Sequence, residues 1–63
     1  MKLKELSSIL YSSRDNIQYC IVYDVKTNTD LENGCSVEYA IENYGEKEVK
    51  HLEAFVNQLL ITV

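Results

Sequence analysis

Apolar and polar residues alternate most clearly over residues 49–63, V-K-H-L-E-A-F-V-N-Q-L-L-I-T-V. Side chains point to alternate faces along a strand, so this stretch predicts a β-hairpin. With Asn57-Gln58 as a two-residue turn, Val56 faces Leu59, Ala54 faces Ile61 and Leu52 faces Val63, giving one apolar face. His51, Glu53, Phe55, Leu60 and Thr62 form the other, mixed face, the only one suited to water. A turn one residue earlier keeps the same faces but pairs Val63 with Lys50, whereas a half-step slip opposes the two faces and is disfavoured. The final strand has no proline, glycine or charge along residues 59–63, so as an outermost strand it would offer an unprotected edge.

The rest of the chain supplies cover for that surface. Leu3, Leu6 and Leu10, with Ile9 beside them, recur at helical spacing and predict a short amphipathic helix over residues 2–11. Serines 7, 8, 12 and 13 weaken its continuation, and Arg14-Asp15-Asn16 reads as a turn. Residues 17–25, I-Q-Y-C-I-V-Y-D-V, are apolar on both faces at their middle, which predicts an interior strand. One face holds Ile17, Tyr19, Ile21, Tyr23 and Val25; the other holds Gln18, Cys20, Val22 and Asp24. K-T-N-T-D at residues 26–30 is a polar turn, Leu31-Glu32 is a stub of a strand pairing back, and Asn33-Gly34 is a break. Ser36 is placed to cap a second helix whose stripe is Val37, Ala40, Ile41 and Tyr44, and Gly45 fits the left-handed position that stops it. The expected fold is α+β: a small two-layer domain over residues 1–63, in the order α-β-(β)-α-β-β, its sheet closed by the C-terminal hairpin.

Sixty-three residues bury only about 60% of their extended surface, so marginal stability or support from a partner subunit is expected. Ten acidic and six basic side chains give a formal charge of -4, with the acids spread along the chain. This balance speaks against direct nucleic-acid binding, which needs a basic face, and is compatible with a partner that is itself basic. The opening M-K-L-K-E-L-S-S-I-L-Y is no secretion signal, and no stretch approaches the roughly 20 apolar residues of a membrane span. A cytoplasmic protein is expected, in which Cys20 and Cys35 are free thiols rather than a disulfide and Cys20 acts as a small buried hydrophobe.

Candidate chemistry is sparse. His51, the one histidine, has no nucleophile marked near it and reads as an exposed sheet residue. Cys20, Cys35 and His51 lack the spacing of a metal site, and Glu38 with Glu42 lies on the polar side of the second helix. No catalytic, cofactor-binding or metal-binding residue is assigned. Tyrosine is the unusual feature, at positions 11, 19, 23, 39 and 44. Tyrosine anchors protein interfaces. Tyr19, Tyr23, His51, Phe55 and Leu60 therefore form the candidate interface, an aromatic patch with acids around it if no helix covers that sheet face. The expected partner is another protein or a second copy in a homodimer.

The stretch E-N-Y-G-E-K-E-V-K-H-L-E-A-F-V-N-Q-L-L-I-T-V, together with the opening K-L-K-E-L, resembles very small phage and mobile-element proteins of Gram-positive bacteria. The matching residues are Tyr44, Gly45, Glu46, Glu48 and Val49, with residues 2–6 at the start. Small acidic phage proteins of this sort include inhibitors of host defence such as anti-CRISPR proteins. The resemblance thus implies protein binding, and it carries over no functional residue.

Overall fold

A computed structural model describes residues 1–12 and 19–63, the side chains of residues 11 and 12 excepted. The turn expected at residues 14–16, the strand start at residues 17 and 18 and the side chain of Tyr11 lie outside the described residues. A 3₁₀ turn, Leu3–Leu6, runs into helix α1, Ser7–Ser12. Strands β1, Tyr19–Asp24, and β2, Thr29–Cys35, precede helix α2, Val37–Tyr44. Strands β3, His51–Ala54, and β4, Gln58–Thr62, complete the chain.

The fold is α+β, with two helices and a four-stranded mixed sheet ordered β2-β1-β4-β3. β1 and β4 are parallel neighbours, and both outer pairs are antiparallel. This corrects the expected architecture in three ways. The sheet is open, with β2 and β3 as its edges. The opening helix divides into a 3₁₀ turn and an α-helical turn, with the Lys2 amide donating to Glu5 Oε1 at 3.2 Å. The bracketed strand is a full seven-residue member. Asn33-Gly34 does not break the chain there. The register shifts between the Cys20 and Ile21 pairings, and Gly34 sits in that bulge with φ at 100°.

The core lies on one face of the sheet. Cys20 and Val22 of β1 and Leu59 and Ile61 of β4 meet Leu3, Leu10, Val37 and Ala40 from the helical layer. Parallel pairing of Cys20 with Leu59 and Val22 with Ile61 brings these side chains to one face. Val63 donates to the Tyr23 carbonyl at 2.8 Å and accepts from the Val25 amide at 3.0 Å, so it is held beside β1. On the other edge of β4, Leu52 pairs with Ile61 and Ala54 with Leu59, which is the register with the turn one residue earlier. The Phe55 amide donates to the Gln58 carbonyl at 2.9 Å, leaving Val56 at the tip, 99% exposed. The final strand is interior and not an edge, which removes the expectation that it recruits another strand.

α2 forms where its stripe predicts. Ser36 Oγ accepts the Tyr39 amide at 3.0 Å, Val37 and Ala40 are buried, and Ile41 and Tyr44 pack against the core. The Tyr44 hydroxyl donates to Glu32 Oε1 at 3.0 Å, tying α2 to β2. Gly45 departs from expectation. Its φ of -60° is right-handed, and the turn closes by the Lys47 amide donating to the Tyr44 carbonyl at 3.0 Å. What requires glycine is proximity: an added Cβ would lie 2.4 Å from the Ile41 carbonyl oxygen and 3.2 Å from Lys4 Cβ.

Candidate interface on the open sheet face

The helices place their buried residues against Cys20, Val22, Leu59 and Ile61, so the opposite sheet face carries no helix among the described residues. Cross-strand partners share a face, and the registers lay this surface out in rows. Asn33, Ile21, Leu60 and Glu53 form one row from β2 to β3. Asp30, Tyr23, Thr62 and His51 form the next, and Tyr19 stands beside Gln58. Tyr19, Ile21, Tyr23 and Leu60 are half-buried at the centre, while Asp30, Asn33, His51 and Glu53 are exposed at the two sides.

Four of the five candidate residues, Tyr19, Tyr23, Leu60 and His51, are thereby brought onto one surface. Phe55 stands just past the end of β3 and is 53% exposed. The Tyr23 hydroxyl donates to Asn28 Oδ1, which fixes the ring's outer end against the β1–β2 turn. Asn28 has φ at 54°, a left-handed conformation that asparagine tolerates. His51 Nε2 lies 3.8 Å from Glu53 Oε1, both side chains exposed, an arrangement without a buried nucleophile or orienting acid. Glu38 and Glu42 are exposed on α2, and no cluster of metal-ligating side chains occurs among the described residues. Cys20 is fully buried, as expected, and both cysteines are free.

Sequence reasoning missed a second feature, a clasp between the start of the chain and the segment after α2. The Lys4 amide donates to the Gly45 carbonyl at 2.9 Å, Leu3 to Lys47 at 3.0 Å and Val49 to Met1 at 2.8 Å. Glu46 accepts from Lys4 Nζ at 2.6 Å and Lys2 Nζ at 3.0 Å, and these two bonds hold its carboxyl down at about 2. The Met1 amino group pairs with Glu48 and lowers that carboxyl too. The signal was the opposite charge of K-L-K and E-K-E, which acquires meaning only once the backbone brings them together.

Beside the clasp is an open cleft of about 610 Å³. Lys4, Lys26, Lys47 and Lys50 line it against Asp24, Glu42, Glu46 and Glu48. These charges compensate one another, so the cleft presents no net sign with which to select a ligand. The open sheet face is apolar at its centre and carries one carboxylate at each side, Asp30 beside Asn33 and Glu53 beside His51. No helix among the described residues is long and apolar enough to cross a membrane. No family model, curated protein or solved structure matches this chain.

Proposed function

We propose that the protein is a non-enzymatic protein-binding module that docks a basic protein surface on its open sheet face. The observation that carries this reading is the adjacency of Tyr19, Ile21, Tyr23 and Leu60 on a face without a described helix. Rigid aromatic rings with polar tips supply contact area at little entropic cost. Asp30 and Glu53 at its sides, and a formal charge of -4 over the chain, complement a cationic partner and repel phosphate backbones. Surfaces of that sign are typical of nucleic-acid-binding proteins. The resemblance to small phage proteins favours a host nucleic-acid-binding or defence protein, and hence an inhibitory role in the cytoplasm without a cofactor.

One observation favours a second reading, self-association. β3 is an edge strand and all four of its residues are exposed, so a second copy has a row of backbone groups to pair with.

The test compares wild type with Leu60→Lys and Tyr19→Lys, each verified by circular dichroism to be folded, in pull-downs from a Gram-positive lysate at two salt concentrations. Stoichiometric capture of a basic nucleic-acid-binding protein, lost in both variants and weakened by salt, supports the proposal. Capture unchanged in both variants overturns the face. Concentration-dependent dimerisation in light scattering, with no captured partner, favours self-association instead.

A further inference from the structure

We infer that Cys20 and Cys35 form a reversible modification site, a cross-strand thiol pair that a small aliphatic disulfide such as oxidised glutathione converts to a disulfide within the folded chain. The two residues are direct partners on neighbouring antiparallel strands, and their side chains share a face. Opposed residues in such a pair have Cα atoms about 4.5 or 5.5 Å apart. Both spacings fall within the roughly 4.4–6.8 Å that a disulfide spans. The Cys35 thiol already reaches over β1, donating to the Cys20 carbonyl at 3.7 Å. Closing the bond needs the two Cβ atoms to approach, and β2 is the strand placed to adjust. It is an edge strand, and its bulge residue Gly34 has nothing within 4 Å of its Cβ position.

Accessibility sets the order of events. Cys20 is fully buried and Cys35 only partly, so the reagent meets Cys35 first. The Cys35 thiolate attacks one sulfur of the small disulfide, giving a mixed disulfide and releasing one thiolate. Cys20 then attacks the Cys35 sulfur, forms the intramolecular bond and expels the second thiolate. The two cysteines lose two electrons and two protons, and the reagent takes up both as two thiols. Burial holds the Cys20 thiol up at about 11 and raises Cys35 as well, so the exchange accelerates with pH. The product fastens the edge strand β2, with Asp30 and Asn33, to the centre of the sheet.

Oxidised glutathione is added to the reduced protein in mildly alkaline native buffer, and intact mass, alkylatable thiols and thermal midpoint are followed. The expected result is a monomer lighter by two hydrogens, with no alkylatable thiol, a higher midpoint, and full reversal by reductant. Cys20→Ala is expected to stop at the Cys35 mixed disulfide, and Cys35→Ser to remain unmodified while folded. The inference is overturned if wild type keeps both thiols, stops at the mixed disulfide, links only between chains, or oxidises only in denaturant. The wild-type readout stands alone if either variant fails to fold.

Discussion

The amide of Lys4 donates to the carbonyl of Gly45 at 2.9 Å, and Lys4 Cβ lies 3.2 Å from the position a Cβ at Gly45 would take. The start of the chain is thereby pressed onto the end of α2. Gly45→Ala should cost about 1–3 kcal/mol, because the new methyl meets fixed backbone at Ile41. Gly34→Ala has open space but a φ of 100°, so its cost of about 1–2 kcal/mol is conformational. Urea unfolding of both variants measures this. A loss below about 0.5 kcal/mol for Gly45→Ala would mean that the backbone at the end of α2 yields.

Ile61 is fully buried between the helical layer and the sheet, whereas Ile41 is only partly buried at the margin of the core. Ile61→Ala should therefore destabilise by about 2–5 kcal/mol, since a cavity remains at a site packed on all sides. Ile41→Ala should cost less, because water fills part of the space. Equal losses in chemical denaturation would contradict this placement of the core.

Glu46 gives the fold a pH dependence. Its carboxyl sits at about 2 in the folded chain, against an ordinary 4.5, because Lys4 and Lys2 donate to it. The unfolded chain thus takes up this proton more readily than the folded one. The stabilisation is complete above about pH 4.5 and is lost as the pH falls towards about 2. Both partners are exposed, so added salt weakens it. Glu46→Gln should flatten the fall in thermal midpoint over that window at low salt. An unchanged slope would show that the clasp does not depend on this charge.

How much of this was legible in the sequence depended on the range of the forces involved. α2 was readable because Ser36 and the Val37, Ala40, Ile41, Tyr44 stripe act within a few turns. The alternation of β1 and β4 correctly sorted Cys20, Val22, Leu59 and Ile61 from Tyr19, Tyr23 and Leu60, since strand period alone sets those faces. Strand order was not readable, because parallel pairing of β1 with β4 joins residues some forty positions apart. The role of Gly45 was misread for a different reason: a glycine after a helix suggests a left-handed stop, whereas here the backbone stays right-handed and the space is closed by the Ile41 carbonyl, with Lys4 Cβ behind it.

The hairpin register yields the last prediction. With a turn at Asn57-Gln58, Val56 would face Leu59 inside the apolar layer. Here Ala54 pairs with Leu59, and Val56 stands at the tip, 99% exposed. The two registers assign opposite costs to one substitution. Val56→Asp buries a charge in the first, which would destabilise by several kcal/mol. In the second it replaces a solvated methyl pair with a solvated carboxylate, an effect within about 0.5 kcal/mol. Ala54 lies on the apolar face in both registers, opposite Ile61 in the first and Leu59 in the second, so Ala54→Asp is the reference and should here be the more damaging of the two changes. Chemical denaturation of the two aspartate variants therefore reads the register directly. A Val56→Asp protein less stable than Ala54→Asp would return the turn to Asn57-Gln58.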